Sequence, residues 1–166
     1  MDFETLKALD LSNTTVIAPK AVVDKFPDDL KVKTTITLNN GDSITLNGHS
    51  FKAIPMYNLR EEALKYHAEG RDNGYVLTTK EERIYISGDT EDIPEMRAIE
   101  NIDKAFVCMN LPYTMTIDIA VSAVLEFKPK LVYPYHYRGT DGFSNVTSFK
   151  TLINQENKSI EVVLLD

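Results

Sequence analysis

The stretch Arg83–Met96, RIYISGDTEDIPEM, alternates apolar and polar residues and then breaks at Gly88-Asp89-Thr90, with two more acids and a proline after it. The alternation describes a half-buried strand. A carboxylate directly after the strand has two readings. It can cap the next helix, since Asp and Thr accept from free N–H groups at helix starts. It can also be aimed at a metal ion, and the rest of the chain has to supply the other ligands.

Working outward, the N-terminal half predicts a helix over DFETLKALDL, a short strand TTVIAP closed by Pro19, and one more short helix from Lys20 to Phe26. The run from Lys31 to Asn58 alternates polar and apolar residues, with turn signals at Asn39-Asn40-Gly41 and Asn47-Gly48, which predicts an antiparallel meander. Gly74–Thr79 and Arg83–Ser87 flank Lys80-Glu81-Glu82 as a further hairpin. Beyond Pro94 the rhythm changes to alternating elements: helix 94–99, strand 103–109, helix 117–127, strand 130–134, helix 147–153 and strand 159–164. A meander followed by strand–helix–strand units predicts a mixed sheet with helices on its outer side, an α/β (α+β) layer arrangement. The 166 residues suit one domain over 1–166.

Eighteen basic against 25 acidic residues give a net charge of -7 without a basic run, which disfavours nucleic acid and anionic membranes as partners. No run of 18 apolar residues occurs, so no transmembrane segment is expected. The only cysteine, Cys108, sits in the apolar run Ala105–Met109. It is expected to be buried and inert, in a reducing, cytoplasmic compartment.

The three histidines divide by context. His49 lies at a meander turn and is expected to be a solvated loop residue. His67 falls in a long connection between strands, and connections of that length are often functional. His136 ends the apolar strand Leu131–Pro134, where ligands of such sheets bind. With Asp89 these make two imidazoles and a carboxylate near strand exits, donors that suit zinc, manganese or iron. Strand ends are also polar for ordinary reasons, and spacing by itself leaves both readings open.

Four segments in order carry a resemblance: Ile84–Met96 with its Gly-Asp-Thr, Ile102–Val107, Asn110–Met115, and Lys128–Tyr137 with Pro134-Tyr-His-Tyr137. Together they resemble the C-terminal portion of metallo-β-lactamase-fold hydrolases, in particular the ascorbate-6-phosphate-lactonase-like group. The resemblance implies an αββα sandwich and a metal-dependent hydrolase acting on a small-molecule ester, lactone or phosphoester through a metal-activated water. It implies Asp89 as the carboxylate bridging two metals, His136 and His67 as further ligands, and Asp89 and His136 as the catalytic pair. Zinc is the expected ion, with manganese or iron as alternatives.

Tyr113 and Arg138 are candidates to touch substrate, with Thr114, Tyr135 and Tyr137 nearby; the ordinary readings are a surface salt bridge for Arg138 and packing with a hydrogen-bonded hydroxyl for the tyrosines. Asn58 is a lesser candidate whose ordinary reading is a turn residue. The acids Glu91, Asp92 and Glu95 are expected to serve the dipole of the following helix.

The family's H-x-H-x-D-H motif occurs nowhere in this chain. Met1–Leu9 resembles the helix that comes after that motif. The expectation is therefore a truncated domain without its N-terminal layer, whose metal can be absent and whose exposed sheet face is covered in a homo-oligomer. The alternative is an inactive α/β scaffold or interaction module.

Overall fold

The computed structural model describes residues 2–165, so Met1 and Asp166, the ends of the expected 1–166 domain, lie outside the described residues. The chain opens with α1 (Phe3–Ala8), β1 (Thr15–Ala18), α2 (Lys20–Val23) and β2 (Thr34–Thr37). It continues with β3 (Ser43–Leu46), β4 (His49–Met56), a 3-10 turn at Glu61–Ala63, β5 (Asp72–Thr78) and β6 (Arg83–Ile86). Next come α3 (Pro94–Arg97), β7 (Lys104–Cys108), α4 (Ile117–Phe127) and β8 (Leu131–Tyr135). Last are β9 (Arg138–Gly139), β10 (Gly142–Phe143), α5 (Val146–Glu156) and β11 (Glu161–Val162).

Seven strands form one mixed sheet in the order β11-β8-β7-β6-β5-β4-β3. The β3–β6 ladder is antiparallel, and β6, β7, β8 and β11 run parallel. The antiparallel part is built on turns legible in the sequence. Asn47 and Gly48 both take positive φ (52° and 81°), as a two-residue turn requires, and set Leu46 opposite His49. Thr79 Oγ1 accepts from the Glu81 and Glu82 amides and closes the turn between β5 and β6. The parallel part needs crossovers, and α3, α4 and α5 supply them. Thr116 caps α4, which ends at Lys128 in the left-handed region just before Pro129.

One expectation is corrected. β2 does not join a meander with β3. It pairs in parallel with β1, Thr15 opposite Thr34, as a separate two-stranded sheet. The turn at Asn39–Gly41 exists, with the Asp42 carboxylate accepting from the Asn39 amide, but it hands the chain from that small sheet to the large one. The 15 residues between β1 and β2 contain α2, which gives the crossover that parallel pairing demands.

The core lies on the helical face of the large sheet. Tyr85, Ala105, Val107 and Val132 point there and meet Met96, Val124, Phe127, Phe149 and Ile153 from α3, α4 and α5. The Tyr85 and Phe127 rings pack edge to face at 5.9 Å. Each fully buried Val or Phe of this layer contributes about 1.5–3 kcal/mol.

Candidate metal centre

β4, β6, β7 and β8 all end at the same edge of the sheet, so the connections after Met56, Ile86, Cys108 and Tyr135 gather there. Open α/β sheets bind ligands at such carboxyl edges. Asp89 arrives on the Gly-Asp-Thr turn. Gly88 takes φ 65°, and a Cβ there would run into the Met56 sulfur, so glycine is required both by conformation and by space. The Asp89 amide donates to Met56 Sδ at 3.0 Å.

Three predicted residues come together. His136 Nδ1 lies 2.6 Å from Asp89 Oδ1, and His67 Nε2 lies 3.8 Å from Asp89 Oδ2. One carboxylate thus faces a histidine with each oxygen. His136 holds a left-handed backbone, φ 44°, a strained conformation for a residue with a Cβ. Its Nε2 is 3.4 Å from Asn110 Nδ2. Among the described residues His67 Nδ1 is buried without a hydrogen-bond partner, and Asp72 Oδ2 lies 3.8 Å from it. Burial raises the Asp72 carboxyl, but His67 and Arg71 outweigh it and hold it below its usual value. A cleft of about 470 Å³ opens on His67, Asp72 and Asp89 and is also lined by Phe3, Pro19 and Val22.

The donors are of the kind a divalent ion takes, and the orphaned His67 nitrogen marks a polar group with unmet capacity. In number the set is short. Among the described residues no three His, Cys, Asp or Glu side chains are arranged to hold one ion together, whereas an open catalytic zinc site uses three protein ligands.

The remaining candidates separate. Tyr113 packs edge-on against Tyr66, and its hydroxyl meets Thr140 Oγ1 at 3.1 Å. Arg138 is exposed, with its guanidinium 5.9 Å from the Phe143 ring centre. Asn58 is buried, and its side-chain nitrogen donates to Ala63 O and Tyr113 O, which joins two loops. His49 is exposed at the start of β4, far along the sheet from Met56.

Of the three acids after Asp89, only Glu95 sits in the first turn of α3. Asp92 pairs with Arg97 at 2.5 Å. Glu91 is buried and accepts from the Leu59 and Arg60 amides and from Arg60 Nε. The helix-dipole expectation fails for Glu91 because a residue 31 positions away claims it. Its position in an acidic run gave no sign of that. Asp72 and Asn110 were likewise not singled out by the sequence.

The family is established by comparison with known proteins. Residues 1–137 match the beta-lactamase superfamily domain, and the chain belongs to that family. A protein of Parabacteroides distasonis described as a metal-dependent hydrolase has a crystal structure that superposes with a TM-score of 0.85 at 37% identity, over 98% of this chain and 69% of that one. The UPF0173 metal-dependent hydrolase of Thermoplasma volcanium is 32% identical over 111 residues, 64% of this chain and 48% of the relative. The chain therefore spans about half the length of that relative. The metallo hydrolase Igni18 of Ignicoccus hospitalis shares the fold, with a TM-score of 0.73 at 20% identity over 90% of this chain and 64% of that one.

Proposed function

We propose that the chain serves a metal-dependent hydrolase centre acting on a small-molecule ester, lactone or phosphoester, with Asp89, His67 and His136 as its contribution of ligands. The observation that carries this reading is Asp89 itself, which faces His136 with one oxygen and His67 with the other. In a loaded centre Asp89, His67 and His136 would be the residues of this chain that hold the metal, with the unpartnered His67 nitrogen as the open donor. Zinc is the first choice for such donors, with manganese or iron next. A divalent ion supplies Lewis acidity to such a site and makes hydroxide available near neutral pH.

The chain's own residues supply position and charge. Asp89 brings the anion, and Gly88 lets it project from the strand end. His67 is anchored through its carbonyl, which accepts from the Asn58 amide at 3.0 Å. Arg138 carries an exposed planar fork suited to a carboxylate or phosphate of the substrate. Tyr113, beside Thr140, completes that side. Among the described residues no helix is long and apolar enough to cross a membrane. The buried thiol of Cys108 agrees with the proposed cytoplasmic setting.

A second reading, a scaffold that associates through its sheet, is favoured by the face opposite the helices. Ile86 is 41% exposed there, beside half-buried Ile84, Phe106 and Tyr133. A second copy covering that stripe is the proposed partner.

Elemental analysis of the dialysed protein, beside Asp89→Ala, tests the first reading. Near-stoichiometric metal that disappears in the variant is the expected result. A wild-type chain without metal overturns it in favour of the scaffold, and sedimentation then shows whether the chain self-associates.

A further inference from the structure

Outside the three candidate ligands, the Glu91 carboxylate is a buried charge near the strand edge held by three hydrogen bonds. Its side chain is 2% exposed and accepts from Leu59 N at 2.8 Å, Arg60 N at 2.9 Å and Arg60 Nε at 2.5 Å. The Glu91 amide donates to Tyr57 O at 3.0 Å, so the Gly-Asp-Thr turn and the connection after β4 are stitched at both backbone and side chain. Arg60 then reaches a third loop, donating from Nη2 to Pro112 O at 3.1 Å and Thr114 O at 2.6 Å.

Two short paths lead from this clamp to the histidines. On one side, Asn58 lies one residue before Leu59, and its amide donates to His67 O at 3.0 Å. On the other, Thr114 Oγ1 donates to Asn110 Oδ1 at 2.7 Å and accepts from the Asn110 amide at 2.9 Å. That leaves Asn110 Nδ2 turned toward His136 Nε2 at 3.4 Å. Asp89 itself is two residues from Glu91. One buried carboxylate is thereby linked to every side chain of the candidate centre while touching none of them.

A buried charge is expensive unless its hydrogen-bonding capacity is filled. Glu91 meets that condition with three donors, two of them backbone amides of another loop. A hydrophobic contact would let these loops slide. A charge with directed partners on both sides admits one register. We infer that Glu91 and Arg60 are positioning residues that set the spacing of His67, Asp89 and His136. The consequence for metal affinity rests on the metal-centre reading above, and the clamp itself rests on the geometry alone.

The test uses the full chain, wild type beside Glu91→Gln, Glu91→Ala and Arg60→Lys, with Ile153→Val on α5 as a core variant remote from the loops. Zinc affinity is measured by competition with a chromophoric chelator, and amide exchange of residues 58–67 and 110–114 by mass spectrometry. The expected result is zinc binding weakened roughly 10–100-fold in Glu91→Gln, the range for residues that orient ligands. Exchange should quicken together in both segments, while Ile153→Val changes neither. Zinc affinity within about twofold of wild type in Glu91→Gln overturns the inference, as does exchange that quickens at 58–60 alone. If the wild-type chain binds no zinc, the metal reading fails, and the exchange of the two segments by itself upholds or overturns the clamp. Should Glu91→Ala not fold, Glu91→Gln and Arg60→Lys carry the same comparison.

Discussion

His136 reaches Asp89, Nδ1 to Oδ1 at 2.6 Å, from a backbone held at φ 44°. A non-glycine residue in that region costs about 1–2 kcal/mol relative to right-handed conformations. The strand end is therefore bent into an unfavourable geometry at the residue that meets the carboxylate. Replacing His136 by Gly and by Ala removes the imidazole equally, and only Gly relieves the backbone. The Gly variant should exceed the Ala variant by about 1 kcal/mol in urea unfolding. Equal midpoints would show that the bend stores no strain.

Gly88→Ala should destabilise the chain by about 1–3 kcal/mol, because it forces a side chain onto a left-handed residue and against Met56 Sδ. Met56→Ala opens the space but cannot restore the backbone freedom. The double variant should recover part of the loss relative to the sum of the singles, as coupled neighbours do. Strict additivity would remove the steric part of this account.

Tyr85 is fully buried, and among the described residues its hydroxyl has no hydrogen-bond partner. Burial also pushes its ionisation well above the usual tyrosine value. Tyr85→Phe keeps the ring against Phe127 and removes the unpaired group. Thermal unfolding should be unchanged or improved, by up to about 1 kcal/mol at 25 °C. A loss of more than that would reveal a partner for the hydroxyl.

Cys108 is predicted to shape stability at alkaline pH. Burial pushes its thiol up to about 11, while an unfolded thiol ionises near about 8.5. The folded state then binds more protons than the unfolded state between those values, so stability is full below about 8.5 and falls as pH rises toward 11. Cys108→Ala should flatten the pH dependence between about 8.5 and 10, read as urea midpoints. The same burial predicts slow labelling of the native thiol at about pH 8. Rapid labelling would place the sulfur within reach of solvent.

Much of the architecture was legible because local signals and final structure agree. The helix predicted over 117–127 is α4 residue for residue, since an apolar stripe, a Thr cap and a following proline all mark the same ends. The hairpins at Asn47-Gly48 and Lys80–Glu82 formed where turn residues predicted them. The parallel pairing of β2 with β1 was not legible. A turn signal tells where the chain bends, while the choice of strand partner depends on contacts 19 positions away, Thr15 with Thr34.

The sequence by itself determined the candidate donors. Asp89, His67 and His136 were legible as polar residues at or near strand exits, because a strand that stops at the sheet edge leaves the next residues open to solvent or ligand. Their convergence was decided only in three dimensions, when parallel β6 and β8 brought Asp89 and His136 together across 47 residues. The different fates of three neighbouring acids were also decided there. Glu91 is buried against Arg60, Asp92 is clipped to Arg97, and Glu95 is exposed on α3. A carboxylate's role is set by which opposite charge and which amides reach it after burial, and those partners come from loops that only the folded sheet brings side by side.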